Sequence, residues 1–252
     1  MLKLVTAGAL VLAAVSGVTA PSHAQDAAAK PADAAKPAAT KATTGKAGAT
    51  KSSAKAPAGP MVAVLETAQG KIVIKLADAD APKTCANFRK LVREKYYDGT
   101  SFHRVISGFM IQGGDPNSKD TDPSNDGLGG PGYTVPAEIK LKHVRGAIAT
   151  ARQGDQVNPA RASSGSQFFI DVADLKSLDD GGYTVFGNVI SGMDAVDKIV
   201  AFANDSTLPA AAGGGRNPGV KGQIVKAYLE PLAKWEKPEE AKAAEAKPAE
   251  GK

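Results

Sequence analysis

The stretch 102–115, FHRVISGFMIQGGD, holds the residues best suited to chemistry. It places Arg104 close to Phe109, Met110 and Gln112. A guanidinium stays protonated and presents a rigid, planar fork of hydrogen-bond donors that a second residue can hold in place. An arginine among so many apolar residues needs a task or a partner. Spacing alone leaves two interpretations open: Arg104 acts on a ligand, or it pairs with a carboxylate or extends its charged end into solvent.

Strand periodicity gives a first placement of these side chains. If 102–106 and 109–112 are strands, alternation puts Phe102, Arg104 and Ile106 on one face. His103 then points to the opposite face, where we expect a structural hydrogen-bonding role.

Two later stretches could line a binding site. The first combines GAIATAR at 146–152 with SGSQFFI at 164–170, and the second is 178–187. In the SGSQFFI stretch, Phe168 and Phe169 are adjacent on a predicted strand and therefore face opposite ways. The outward phenylalanine is either a surface residue or the floor of an apolar pocket.

Other motif matches fail on context. The glycine-rich 127–132, GLGGPG, lacks the strand before it and the helix after it that a dinucleotide site needs. A calcium loop that begins at Asp122 would have tyrosine at its twelfth position instead of glutamate. His103, His143 and Cys85 lack the paired spacing of transition-metal ligands, and no G-x-S-x-G elbow indicates a hydrolase. We therefore expect no metal and no cofactor.

Taken together, these stretches resemble the cyclophilin family of peptidyl-prolyl cis/trans isomerases. FHRVISGFMIQGGD resembles the family's signature segment, SGSQFFI its second core motif, and YTVFGNVISGMDAVDKI its third. The motifs stand in the family's order, and the resemblance covers residues 61–232. It implies rotation about X–Pro bonds without a cofactor, in a closed eight-stranded antiparallel barrel capped by two α-helices.

The resemblance also assigns site residues by position. Arg104 matches the catalytic arginine, and Gln112 matches the glutamine that orients it. The residues that match the proline pocket and the peptide groove are Phe109, Met110, Phe169 and Leu178, then Ala151, Arg152 and Gln167, with Tyr183 where many relatives have a pocket histidine.

This sequence departs from the family's usual pattern at three places. Ser177 stands where several relatives carry Trp or Phe, Thr150 replaces a usual Met, and the loop 117–130 is longer than the commonest form. The first departure puts inhibitor binding in doubt, and the others affect peptide preference. An alternative from another functional class is a proline-binding chaperone module with incidental turnover.

The elements that must position these residues are mostly strands. Apolar, β-rich runs predict strands at 61–67, 71–76, 102–106, 109–112, 147–151, 167–172, 185–189 and 224–229. Pro82 opens a helix that carries Phe88 and Leu91 at helical spacing and closes at 98–99. A second helix is predicted at 193–202. Many short strands with two helices indicate a mainly β, closed antiparallel barrel rather than an alternating α/β fold.

Composition divides the 252 residues into one domain with two tails. Residues 25–60, rich in Ala, Lys and Pro, and 233–252, rich in Lys, Glu, Ala and Pro, are predicted to be a disordered linker and a disordered tail. Between them, 61–232 carries every Phe and Tyr, with 19 basic and 19 acidic residues. The net charge of +5 therefore comes mostly from the linker, where six Lys minus two Asp give +4. A neutral domain does not favour a nucleic-acid partner.

The N-terminus carries an export signature. Lys3 precedes an apolar run that ends in Ser22-His23-Ala24, which predicts a signal peptide at 1–24 and a periplasmic or secreted location. An uncleaved anchor is the alternative; after cleavage we expect no stable membrane insertion. The single cysteine, Cys85, permits no intramolecular disulfide. We expect a monomer whose partners are unfolded or extended polypeptides that contain proline.

Overall fold

The structure, a computed structural model, describes residues 59–236. The predicted signal peptide, the linker up to residue 58 and the tail from residue 237 lie outside the described residues. No helix within 59–236 is long and apolar enough to cross a membrane.

Short strands dominate the described part of the chain, as predicted. The strands are β1 Met61–Thr67, β2 Gly70–Leu76, β3 Arg104–Ile106, β4 Met110–Gly113, β5 Thr134–Val135, β6 Ala147–Thr150, β7 Ser163–Ser164, β8 Phe168–Asp171, β9 Val185–Ser191 and β10 Ile224–Pro231. The helices are α1 Pro82–Arg93, α2 Lys176–Asp179 and α3 Met193–Val200. Each of the eight predicted strands corresponds to one strand of the main sheet.

The main sheet is curled and entirely antiparallel. Its strand order is β10-β1-β2-β9-β6-β8-β4-β3, and β5 and β7 form a separate two-stranded ribbon. The turn at Ala68–Gln69 joins β1 and β2 as a hairpin. This order brings β4, β8, β6 and β9 side by side, so the three predicted site stretches meet on one sheet.

The predicted closed barrel is wrong: the sheet is an open half-barrel. Its edge strands, β3 and β10, do not pair with each other. β3 is only three residues long, and Val105 exchanges backbone hydrogen bonds with Arg216 in the chain before β10. A further connection runs between 99–102 and 222–224. The open edge therefore places the loop before Arg216 beside Arg104.

The helices differ from the prediction in number and at their ends. The two longer helices begin where expected, but α2 is a third, so the two-helix cap is not confirmed. α1 ends at Arg93 rather than at 98–99 because Lys95 takes a left-handed backbone (φ 58°), which an α-helix cannot continue. α3 ends at Val200 and continues as a 3₁₀ turn to Asn204.

An aromatic core lies between the main sheet and the helices α1 and α3. Phe168 is at its centre, with the rings of Phe88, Tyr97 and Phe102 packed edge-on at 5.6, 5.5 and 6.0 Å between centroids. Edge-to-face packing at these distances adds to the free energy gained from burial. Phe168 thus faces inward, which leaves its neighbour Phe169 on the opposite face, as alternation predicts.

Glu138 caps the first turn of α1 from a distant loop. Its carboxylate accepts hydrogen bonds from the backbone N–H groups of Lys83 (3.1 Å) and Thr84 (2.9 Å) and from the Thr84 hydroxyl (2.9 Å). These N–H groups have no partner within the helix, and the positive end of the helix dipole favours a carboxylate. Burial alone would raise the pKa of Glu138, but these hydrogen bonds outweigh it and lower the pKa.

Replacing Glu138 with alanine is expected to lower the free energy of unfolding by about 1–2 kcal/mol at pH 7. The pKa of Glu138 is lower in the folded protein than the unfolded value of about 4.3. Its contribution to stability is therefore present above that value and is lost as pH falls through the folded pKa. Urea unfolding at pH 7 and pH 3 measures this, with the exposed Glu94→Ala as control. An equal loss at both pH values would contradict a charge-based cap.

Candidate active site

The β3–β4 hairpin sets the geometry of the site. Its register places Arg104 opposite Gln112, and β4 pairs with β8 so that Gln112 lies opposite Phe169. Directly opposite residues of a ladder share a face, so these three side chains project to the same side of the sheet. Phe102 does not join them: the strand begins at Arg104, and Phe102 is fully buried in the core. The prediction that it shares the face of Arg104 is therefore wrong.

This face of the sheet forms the floor of a cavity that is open to solvent, with about 430 Å³ of empty space including its open mouth. The residues that line it are Arg104, Phe109, Met110, Gln112, Ala151, Arg152, Phe169, Leu178 and Tyr183. Met110 and Phe169 are buried, whereas Phe109, Leu178 and Tyr183 are half-buried. The cavity thus combines an apolar wall with polar groups at a few fixed points, as small-ligand sites commonly do.

Arg104 is fixed by three hydrogen bonds. Its Nη1 donates to Gln112 Oε1 (3.1 Å), its Nε to the carbonyl of Gly214 (3.2 Å) and its Nη2 to the carbonyl of Gly213 (2.7 Å). Both glycines have positive φ (76° and 89°), a backbone that residues with a side chain rarely adopt. Burial lowers the pKa of Arg104 and Tyr183 opposes the shift, but an arginine starts so high that it stays protonated at neutral pH.

Two amides in series orient the guanidinium. Gln167 Nε2 donates to the carbonyls of Gly127 (2.9 Å) and Gly129 (2.8 Å). A carbonyl can only accept, so the amide nitrogen must face them and Gln167 Oε1 must point the other way. There it accepts from Gln112 Nε2 (3.0 Å), and this in turn directs Gln112 Oε1 at Arg104. The backbone carbonyls of Gly127 and Gly129, in the loop 117–130, therefore determine the direction of both amide side chains.

Asp115 holds that loop. It is fully buried, and its carboxylate accepts from the backbone N–H groups of Asn117 (2.8 Å), Gly127 and Gly129 (3.1 Å). The sequence predicts no calcium loop at Asp122, which lies in the same loop. Within the described residues, no group of three or more His, Cys, Asp or Glu side chains is arranged to hold a metal ion.

Tyr183 and Arg152 form one side of the cavity. The Arg152 guanidinium lies 4.9 Å from the centroid of the Tyr183 ring, and its Nη2 donates to the carbonyl of Gly181. The Tyr183 ring in turn meets Phe169 edge-on at 5.7 Å. The stacked cation braces the tyrosine against the phenylalanine.

A buried His–Asp pair supports this wall from behind. His143 Nδ1 lies 2.8 Å from Asp171 Oδ2, and both side chains are almost fully buried. The His143 ring is stacked on Phe169 (5.8 Å, 6°) and meets Tyr183 at its edge (6.2 Å). Burial raises the pKa of Asp171, while the hydrogen bond with His143 opposes the shift. Nothing in the sequence motifs pointed to this pair.

His103 does not have the expected hydrogen bonds. It is 3% exposed, and neither ring nitrogen has a hydrogen-bond partner among the described residues. Burial lowers the pKa of His103 to about 4, against the opposing effect of Asp115, so the ring is neutral at pH 7.

Nine of the ten predicted site residues line one cavity, and the tenth, Gln167, holds Gln112 from outside it. The sequence interpretation missed Gly213, Gly214, Gly127 and Gly129, which act through backbone carbonyls. The run of three glycines at 213–215 indicated a loop but not the residue that the loop would contact.

The curled antiparallel sheet and the arginine at the rim of an apolar cavity define a mainly β protein with a fixed hydrogen-bond donor beside an apolar cavity. The family model described as "Cyclophilin type peptidyl-prolyl cis-trans isomerase/CLD" matches residues 62–218. A peptidyl-prolyl cis-trans isomerase of Helicobacter pylori is 41% identical over 142 residues, 54% of this chain and 78% of the relative. A probable isomerase of Brucella suis is 42% identical over 173 residues, 66% of this chain and 81% of the relative.

Solved structures agree with these relatives. A cyclophilin-type peptidyl-prolyl cis-trans isomerase of Cryptosporidium parvum superposes with a TM-score of 0.53 at 28% identity, covering 68% of this chain and 97% of that one. A second structure of that protein was determined in the presence of the dipeptide Ala-Pro (TM-score 0.52, 27% identity, 67% of this chain and 98% of that one). The chain belongs to the cyclophilin-type peptidyl-prolyl cis-trans isomerase family.

Proposed function

We propose that Arg104 accelerates rotation about X–Pro bonds by stabilising the twisted amide, and that the enzyme serves the folding of exported proteins. The planar amide resists rotation because the nitrogen lone pair is delocalised into the carbonyl, which gives a barrier of roughly 18–20 kcal/mol. Uncatalysed isomerisation therefore takes about 10–100 s at 25 °C. An enzyme must bind the twisted state more tightly than either planar state.

A fixed guanidinium can provide that difference. When the bond is twisted by a right angle, conjugation is lost and the nitrogen regains a lone pair that accepts a hydrogen bond. The planar amide has no such lone pair, so Arg104 interacts best with the transition state. The observation that carries the proposal is the set of three hydrogen bonds that hold Arg104 at the rim of the apolar cavity.

The apolar part of the cavity fits the proline ring. Met110, Phe169 and Leu178 offer apolar surface beside Arg104, and the Cryptosporidium relative was crystallised in the presence of Ala-Pro. In this chain the ring would be held while the preceding carbonyl swings around it. The step breaks no covalent bond, so the mechanism uses no nucleophile and no general base.

The proposed partners are proline-containing unfolded or extended polypeptides, met by a monomer in the periplasm or outside the cell. The neutral charge of 61–232 supports peptide rather than nucleic-acid binding. The export proposal depends on Lys3, the apolar run and Ser22-His23-Ala24, and not on the described residues.

The mature protein is expected to begin at Gln25, because Ser22-His23-Ala24 matches the small-x-small pattern that precedes a signal cleavage site. Intact mass of the protein from the envelope or medium of expressing cells is the measurement. A mass that includes residues 1–24, recovered in the membrane fraction, would favour an uncleaved anchor.

A further inference from the structure

The proposed proline site carries a positive charge that no neighbouring carboxylate neutralises. Two of the nine residues that line the cavity, Arg104 and Arg152, are arginines, and none is Asp or Glu. All three hydrogen bonds of Arg104 end on neutral oxygens, those of Gln112, Gly213 and Gly214. The charge of Arg104 is therefore fixed in position and remains uncompensated within the described residues.

The second arginine is only partly compensated. Arg152 pairs with Asp155 at 2.6 Å, but Asp155 also pairs with Arg161 at 2.9 Å, so one carboxylate serves two guanidinium groups. On α2, which carries the cavity residue Leu178, Asp179 pairs with Lys142 at 3.4 Å, and the exposed Lys176 and Asp180 have opposite charges. The surroundings of the cavity thus keep an excess of positive charge.

We infer that the site selects peptides with an acidic side chain immediately before the proline, a substrate preference that rests on the proposed function. The residue before proline carries the carbonyl carbon bonded to the nitrogen that Arg104 addresses. With the ring in the apolar pocket, that residue therefore lies beside Arg104. A carboxylate there meets an unpaired cation, whereas an ammonium group meets a like charge.

Three peptides that differ only in the residue before proline test the preference on the mature protein. The three peptides carry Glu, its uncharged isostere Gln, or Lys at this position. For the Glu peptide, kcat/KM is expected to exceed that of the Gln peptide by about three- to five-fold, as for a favourable exposed ion pair. For the Lys peptide, kcat/KM is expected to fall below that of the Gln peptide. Both differences should shrink at 1 M salt, where the screening length is about 3 Å.

A matched pair of variants separates the cavity from the overall charge of the chain. Asp155→Asn removes the carboxylate shared by Arg152 and Arg161. We therefore expect the ratio of kcat/KM for the Glu peptide to kcat/KM for the Gln peptide to rise about two-fold. Asp194→Asn makes the same change in charge on α3, where Asp194 is exposed and lies 3.8 Å from Lys198. In the Asp194→Asn variant the same ratio of kcat/KM values should stay at the parent value.

The outcomes keep this inference distinct from the proposed function. Equal turnover of all three peptides, or an equal rise of the ratio in both variants, would overturn the preference and leave the isomerase mechanism intact. Turnover of none of them would overturn the proposed function itself.

Discussion

Replacing Arg104 with alanine is expected to lower kcat/KM for an X–Pro peptide by roughly 10²–10³-fold, as the removal of one oriented transition-state donor does in other enzymes. The melting temperature should stay close to that of the parent, because Arg104 lies at the rim of the cavity and not in the aromatic core. Arg104→Lys should also lose most activity, since a lysine keeps the charge but not the planar fork that Gln112 and the glycine carbonyls hold.

The measurement is a protease-coupled isomerisation assay together with thermal unfolding of each variant. Arg93→Ala, which removes an exposed arginine at the end of α1, is the control for charge. Activity of Arg104→Ala within about threefold of the parent, at an unchanged melting temperature, would remove Arg104 from the mechanism. Lost activity with a collapsed unfolding transition would instead make Arg104 a structural residue.

Replacing Gln112 with leucine is expected to lower kcat by about 10–100-fold with little change in KM, the cost of leaving one buried hydrogen-bonding group unpaired. Leucine fills similar space but cannot accept from Arg104 Nη1 or donate to Gln167 Oε1. The apolar wall that holds the proline ring is unchanged, so the loss should fall on the transition state.

Conservative changes test the direction of this hydrogen-bond chain. Gln112→Glu keeps an acceptor for Arg104 but cannot donate to Gln167, so kcat is expected between the values of parent and leucine variant. Gln167→Glu places a carboxylate against the carbonyls of Gly127 and Gly129 and should also lower kcat. Steady-state kinetics at saturating peptide measures these effects. A parental kcat in Gln112→Leu would contradict the positioning role.

The sequence predicted those parts of the site that depend on side-chain type and strand period. Hydrophobic runs located β4 and β8, and alternation put Phe168 and Phe169 on opposite faces of β8. The structure has Phe168 in the core and Phe169 at the cavity, which agrees with the pocket position that the resemblance gave Phe169. A short hairpin brings Arg104 opposite Gln112, so this contact follows once the strands are known.

Contacts made through the backbone could not be predicted in the same way. Gly213 and Gly214 hold Arg104 through carbonyl groups, whose direction depends on φ and ψ and is not carried by any side chain. The open sheet has a related cause: Arg216 takes the place beside β3 that a closing β10 would need. The His143–Asp171 pair joins residues 28 positions apart through tertiary packing alone.

The most direct test of the central claim is exchange NMR of a model Ala-Pro peptide with catalytic amounts of the parent protein. A true isomerase accelerates the cis-to-trans and trans-to-cis rates by the same factor and leaves the populations of the free peptide unchanged. A proline-binding chaperone module binds the peptide without accelerating exchange, which is the alternative to catalysis. We expect equal acceleration in both directions with the parent and its near-complete loss with Arg104→Ala. Binding without acceleration by the parent would contradict the account.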